Sequence, residues 1–338
     1  MKVLVTLDYE LFNGKEGGTV TNCLINPMDA FLSTIDKHNV KITVFVDACF
    51  LLRLKELKED DHNIKGDWEK VTENLRQLAE TGHSIQLHLH PQWLKAKAID
   101  GRWYSDLSLY KLSDLTEAES LELFKKGCTI IEEVTGIKPV AFRAGDYCAQ
   151  TFKGLPQALR ENGIIIDSSV LRGKSSKNER EWFDYSKIPD EYFYKFNNSV
   201  DVKDEEGIFL EISIPTYPHS LTEIYYRKKK VGRLGEITKS WGDGTSSTGT
   251  QLMSSREKVL HILHMLTKSN RMSASVDGIS ATFLDEIYRL ERKKKSPYML
   301  IMGHPKTFTP YYLDLFDSFL DRVEKDDQVC TIDKLLQQ

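Results

Sequence analysis

Eight short apolar runs, each too brief for a packed helix, recur along the chain with amphipathic stretches of helical length between them. They cover residues 2–7, 42–46, 84–89, 140–142, 163–166, 208–214, 272–276 and 298–302. Positions 29–38, 68–81, 117–135, 155–162, 255–268, 281–294 and 311–323 carry apolar residues at helical spacing. A strand covered by helices on both faces has no solvent side, so it reads as a continuous apolar run and not as an alternation. Such runs alternating with helices mark parallel strands in βα units. With 338 residues, 40% of them hydrophobic, the chain can bury one large core. The expectation is an α/β fold: a single distorted (β/α) barrel of about 7–8 parallel strands over residues 1–338. Two stretches break the rhythm. Residues 171–206 are polar and aromatic, and 225–251 hold the sequence Lys-Ser-Trp-Gly-Asp-Gly-Thr-Ser-Ser-Thr-Gly-Thr. Both read as loop insertions on the barrel, either functional lids or disordered.

The net charge of -4 offers no basic excess for nucleic acid. The basic runs at 227–230 and 292–295 are short; they read as solvated loop or helix-end charge, with contact to an anionic substrate or a lipid surface as the alternative. Five cysteines (Cys23, Cys49, Cys128, Cys148, Cys330) are odd in number and lack CxxC spacing, as expected of reduced thiols. Met1-Lys2 leads straight into a strand-like run, too short for a signal-peptide core. No apolar stretch approaches the ~20 residues of a membrane span. These features predict a cytoplasmic protein. No glycine-rich phosphate loop is present.

The residues that close the runs carry the chemistry. The first run is followed by Asp8-Tyr9-Glu10, the second by Asp47, and the third ends His88-Leu89-His90-Pro91. The fourth ends Arg143-Ala144-Gly145-Asp146, the fifth Asp167-Ser168-Ser169, the seventh Asp277, and the last Gly303-His304-Pro305. In a parallel barrel the carboxyl ends of the strands line one mouth, where polar groups share a cavity. His88 and His90 stand two apart on an extended segment and leave it on the same face, as do Asp8 and Glu10. Two imidazoles and one or two carboxylates at such a mouth suit Zn²⁺ or another divalent transition metal.

The order of these elements resembles the polysaccharide deacetylases, carbohydrate esterase family 4 and its wider superfamily, whose barrel is of the glycoside hydrolase/deacetylase type. The resemblance rests on Thr6-Leu7-Asp8-Tyr9-Glu10, Ile42-Thr43-Val44-Phe45-Val46, Gly82-His83-Ser84-Ile85-Gln86-Leu87-His88, Thr135-Gly136-Ile137-Lys138-Pro139 before Arg143, and Leu300-Ile301-Met302-Gly303-His304-Pro305. It implies a hydrolase that removes an N-acyl group, acetyl in the first place, from a sugar with the help of a divalent metal: zinc, or else cobalt, nickel or manganese. Asp8 would be the general base and His304 the general acid, with Arg143 orienting the base and Asp146 nearby. Metal ligands would be Asp8, Glu10, His88 and His90. Two positions depart from the family pattern. The family's second aspartate is Tyr9 here, so Glu10 or Asp8 itself would serve, and the position four after His88 is Gln92, so His90 would replace the usual second histidine.

Trp93 and Tyr147 are expected as an apolar wall for an acyl methyl or a sugar ring, and Asp167 and Ser168 either as substrate contacts or as groups supporting the site from behind. Asp47 and Asp277 match no motif and read as structural hydrogen-bonding groups, as does His83 on the opposite strand face. The partner is an N-acylated sugar or sugar conjugate, with surface-polysaccharide assembly as the setting that a cytoplasmic location suggests. Competing expectations are another C–N hydrolase on the same scaffold, such as a deformylase or ring amidohydrolase, and a non-catalytic carbohydrate binder.

Overall fold

A computed structural model describes residues 1–246, 270–323 and 325–337. Its main sheet has eleven strands: β1 (Lys2–Tyr9), β2 (Thr43–Asp47), β3 (Ser84–Leu89), β4 (Ala141–Ala144), β5 (Ile166–Asp167), β6 (Phe193–Phe196), β7 (Phe209–Ile212), β8 (Thr216–His219), β9 (Asn270–Ser275), β10 (Tyr298–Gly303) and β11 (Gln328–Cys330). Their order is β6-β7-β5-β4-β3-β2-β1-β10-β9-β8, with β11 beside the first half of β1. All eight apolar runs of the sequence lie in this path as strands that run parallel to one another, from β7 to β9. The two outer strands, β6 and β8, are antiparallel to their neighbours.

The sheet curls into a half-barrel, and chain connectivity shows why. Strands β7 and β8 stand eight steps apart in the path, about 38 Å if the sheet were flat. Only three residues separate Ile212 from Thr216, which span at most ~15 Å when extended. The two flanks must therefore approach each other. A single bridge, Leu171 with Ile214, lies in that gap.

Helices α1 (Asn26–Ile35), α2 (Ala48–Leu57), α3 (His62–Glu80), α4 (Glu117–Thr135), α5 (Leu155–Asn162), α6 (Leu221–Val231), α7 (Leu284–Lys294) and α8 (Pro310–Leu320) flank it. One apolar core joins strands and helices, from Val3, Leu4 and Val5 of β1 to Phe316 and Phe319 of α8. Local chemistry sets several boundaries. Asp61 caps α3, accepting from the Asn63 amide at 2.7 Å, so that helix begins before the apolar spacing reveals it. The run 163–166 yields only a two-residue strand, because Gly163 at φ +71° ends α5. Helix α2 is not visible as a period, since apolar residues run on from β2 into it with only Asp47 between them. Its start is Asp47, whose carboxylate accepts from the Cys49 amide at 3.1 Å.

The stretch 171–206 holds a hairpin, Ser175–Lys177 with Trp182–Asp184, and the edge strand β6. In 225–251, residues 225–231 belong to α6, and 247–251 lie outside the described residues, as does the expected helix 255–268. Among the described residues no helix is long and apolar enough to cross a membrane. All five cysteines are buried and unbridged.

Candidate active site

Strand register decides which polar groups meet. Asp8 of β1 pairs with Phe45 of β2, and Phe45 with Gln86 of β3. One pleat higher, Asp47 pairs with His88, and His88 with Arg143 of β4. Glu10, two residues beyond Asp8 on the same face, comes level with His88, while Asp8 lies below. Tyr9 points to the other side, buried toward Asp29 of α1.

The consequence is a buried cluster of Glu10, His88 and His90, whose ligand atoms all lie within 4.8 Å of one another. Glu10 Oε2 is 3.1 Å from His88 Nε2 and contacts His90 Nε2 as well. His88 Nδ1–H donates to the Arg143 carbonyl at 2.7 Å. A carbonyl can only accept, so in neutral His88 the lone pair sits on Nε2 and faces a carboxylate. That arrangement repels unless a cation stands between them. A charged His90 beside the same carboxylate offsets part of this: burial opposes charge on His90, yet Glu10 raises its pKa to about 10. A divalent metal would satisfy the same geometry, and two imidazoles with one carboxylate are a fitting donor set. Lys306, not anticipated from the sequence, donates from Nζ to Glu10 Oε1 at 2.7 Å and to the Leu11 carbonyl at 2.8 Å. Burial disfavours the Glu10 charge, but Lys306 and His90 outweigh it and hold this carboxyl well below the usual range.

Beside this cluster lies a second one. Arg143 is fully buried; its Nη1 donates to Asp8 Oδ1 at 2.6 Å, Nη2 to Thr6 Oγ1 and Ser168 Oγ, and Nε to the Ser168 carbonyl at 3.0 Å. The guanidinium also lies 4.1 Å over the Phe45 ring. The other oxygen of Asp8 is 3.7 Å from His304 Nε2, and His304 Nδ1 stands 2.9 Å from Asp277 Oδ2. Asp277 also accepts from the His304 amide and from the hydroxyls of Ser275 and Thr307. Burial works against its charge, but His304 and these donors depress it to about 2. Burial likewise opposes charge on His304, which Asp277 and then Asp8 override, raising its pKa. Asp277 thus belongs to the site. Its position at a strand end was the available signal, and nothing local marked it as the partner of a histidine 27 residues later.

Other expected residues divide. Asp146 sits at the rim in the left-handed region, φ +46°, followed by Tyr147 at +61°. Such backbone costs about 1–3 kcal/mol per residue and collects at functional sites. Asn13 Nδ2 donates to Asp146 Oδ1 at 2.7 Å, and Asp146 Oδ2 is 3.8 Å from His90 Nδ1. Tyr147 is half-buried, its hydroxyl 3.7 Å from Met302 Sδ. Asp167 and Ser168 have no exposed surface: Ser168 anchors Arg143, and Asp167 accepts from the Ser169 amide at 2.9 Å. Burial and these contacts put both behind the guanidinium, in a supporting position. Trp93 is corrected. It is completely buried, edge-on to Phe50, with its ring against Gly17, and packs the core where a substrate wall was expected. Asp8, expected both as base and as ligand, lies outside the three-ligand group, because Arg143 holds it one pleat down. Asp47 supports the cluster from behind, accepting from the His90 amide at 3.2 Å, and burial pushes its carboxyl up to about 6. His83 accepts from the Ile42 amide at 3.2 Å, the structural role expected of it.

The site opens where His304 and Asp146 retain 26% and 19% side-chain exposure. Residues 241–246 pack on one side of it. Trp241 donates its amide to Phe308, Thr245 to Glu16, and Asp243 binds Thr19, Asn22 and Arg102.

No protein-family model and no curated protein matches this chain. Solved structures do, at low identity. A Mycobacterium smegmatis protein assigned as a polysaccharide deacetylase is 13% identical with a TM-score of 0.50, covering 100% of this chain and 90% of its own. PuuE allantoinase is 12% identical with a TM-score of 0.52, covering 99% and 89%. A glycoside hydrolase family 57 branching enzyme from Thermococcus kodakaraensis is 11% identical with a TM-score of 0.51, covering 100% and 71%. The chain has the distorted (β/α) barrel that these solved structures share. The names of those three structures differ in activity, so the fold by itself does not fix what the chain does.

Proposed function

We propose that the protein is a metal-dependent hydrolase that removes an N-acyl group, acetyl in the first place, from a sugar. The observation that carries this is the adjacency of two units at one rim: the Glu10–His88–His90 cluster, and an Asp8 carboxylate set between Arg143 and His304. Glu10 Oε2 and the Nε2 atoms of His88 and His90 would hold the metal, zinc by its donor set, which when bound polarises the amide carbonyl. Asp8 accepts the proton of the attacking water, whose oxygen bonds to the acyl carbon. Arg143 orients that carboxylate through its Nη1 hydrogen bond. As the C–N bond breaks, His304 delivers its proton to the departing nitrogen, leaving an amine and a carboxylate. Asp277 keeps the imidazole protonated and correctly turned. The five unbridged cysteines support a cytoplasmic location, where nucleotide-linked or lipid-linked sugars of surface-polysaccharide assembly are the candidate substrates.

The test is Asp8→Asn, assayed with zinc against acetylated, formylated and cyclic amides. Turnover of acetylated sugars by the native protein, abolished in the variant with metal content unchanged, is the expected result. Full activity of Asp8→Asn would overturn the mechanism. Turnover confined to formyl or ring amides would overturn the substrate class.

A further inference from the structure

Helix α6 has two unlike faces. Ile224 and Val231 turn inward, Val231 packing with Ala281 and Tyr312. Arg227, at the matching spacing, lies 3.8 Å over the Phe283 ring and pairs with Glu223 at 2.7 Å and Glu286 at 2.5 Å. The outward face carries Tyr225 and Tyr226, 67% and 69% exposed, together with exposed Lys228, Lys229 and Lys230. Leu234 and Ile237 are exposed immediately after the helix. Residues 223–239 contain six cationic side chains against two glutamates, a net +4 in a chain whose total is -4.

Charge alone would not make this a site. The basic run 292–295 also stands at a helix C-terminus, that of α7, where carbonyl ends favour cations. The first run differs in two respects. Among the described residues Lys228, Lys229, Lys230 and Arg233 have no carboxylate partner. They are also interleaved with paired tyrosines and two exposed aliphatic side chains. Cations beside exposed aromatic and aliphatic groups are the composition of helices that lie in a bilayer interface. Tyrosine rings settle at the depth of the headgroups, and each lysine or arginine is attracted by anionic lipid.

We propose that this face docks the protein onto an anionic phospholipid surface, Tyr225 and Tyr226 entering the headgroup layer and Lys228, Lys229, Lys230 and Arg233 facing lipid phosphates. A polyanion such as nucleic acid would complement the cations but leave the tyrosines and aliphatics in water, so the apolar half of the face favours lipid. The chain passes within a few residues from this face to Trp241, whose amide is bound by Phe308 beside the site. On the deacetylase reading, and only there, docking brings the rim to sugars carried on lipids.

Vesicle sedimentation of the full chain tests the proposal without any turnover. Vesicles of phosphatidylcholine alone are compared with vesicles holding about one part phosphatidylglycerol in four. Binding to the anionic vesicles only, weakened by salt, is expected. Lys228→Glu/Lys229→Glu/Lys230→Glu should lower the apparent affinity at least ~10-fold and Tyr225→Ser/Tyr226→Ser several-fold. Lys293→Glu/Lys294→Glu/Lys295→Glu should leave it unchanged. Absence of binding to anionic vesicles, or an equal loss in the 293–295 variant, would overturn the proposal. So would binding to polyuridine as tight as to vesicles and indifferent to the tyrosines. Hydrolysis of a soluble N-acetylated sugar by the same variants, expected at the native rate, separates a failure of docking from a failure of the catalytic assignment.

Discussion

The main-chain carbonyl of Arg143 accepts the Nδ1–H of His88 at 2.7 Å, while the side chain of the same arginine holds Asp8 at 2.6 Å. One residue thereby serves both halves of the site. Its backbone turns the His88 lone pair toward Glu10, and its guanidinium fixes the carboxylate assigned as the base. The two roles are separable, because a side-chain substitution leaves the carbonyl in place.

Arg143→Lys should therefore keep metal uptake and lose turnover. Lysine carries a single ammonium and cannot replace a planar fork that reaches Asp8, Thr6 and Ser168 together. A base displaced by about 1 Å costs on the order of 100-fold in rate. Arg143→Met leaves Asp8 buried without its cation and should lower unfolding free energy by about 3–5 kcal/mol. Steady-state kinetics and urea denaturation measure the two effects.

The ligand assignment predicts which substitutions abolish zinc binding in calorimetric titration. Glu10→Gln, His88→Asn and His90→Asn should each weaken it by more than about 100-fold, beyond what loss of a supporting hydrogen bond does. Asp8→Asn should bind zinc like the native chain. The reverse pattern, with Asp8 essential and His90 dispensable, would move the site one pleat down the barrel.

Asp277→Asn should shift the basic limb of the kcat/KM profile to lower pH. In the native chain Asp277 raises His304, so the imidazole keeps its proton above its ordinary 6.5; without that carboxylate the acid form is lost earlier. Stability responds at the other end of the scale. Asp277 is depressed from 3.8 to about 2, so its contribution, about 2 kcal/mol, is fully present above 3.8 and disappears as pH falls through 2. Urea denaturation between pH 5 and 2 should show a loss in the native chain that the variant lacks by about that amount.

Gly127→Ala sets helix propensity against packing. An alanine in α4 gains about 1 kcal/mol in propensity. Its Cβ would stand 2.9 Å from Leu87 Cδ1 and 3.2 Å from Ala48 Cβ. Leu87 is fully buried in β3 and Ala48 is tied to the α2 backbone, so neither can retreat cheaply. Overpacking costs typically about 1–3 kcal/mol, and the variant should be net less stable by about 1 kcal/mol in denaturant.

Much of this architecture was legible in the chain. All eight apolar runs became strands of the parallel path, because burial on both faces is written into composition residue by residue. Helix α2 was hidden for the same reason: apolar residues continue from β2 into it without a change of period. The edge strands β6 and β8 escaped because Phe193–Phe196 and Thr216–His219 are short and sit in polar surroundings. Trp93 misled because a tryptophan beside a histidine pair looks the same in sequence whether its ring faces a cavity or, as here, Phe50 and Gly17.

By itself the sequence determined the eight strands of the parallel path, and that Asp8 with Glu10, and His88 with His90, leave theirs on one face. Both follow from composition and from the two-residue period of an extended chain. Only the tertiary structure decided that Glu10 meets the imidazoles while Asp8 goes to Arg143, that His304 turns to Asp277, and that Lys306 closes on Glu10. Those choices depend on the register between strands and on contacts across up to 296 residues of chain, and no local pattern encodes the offset of one strand against the next.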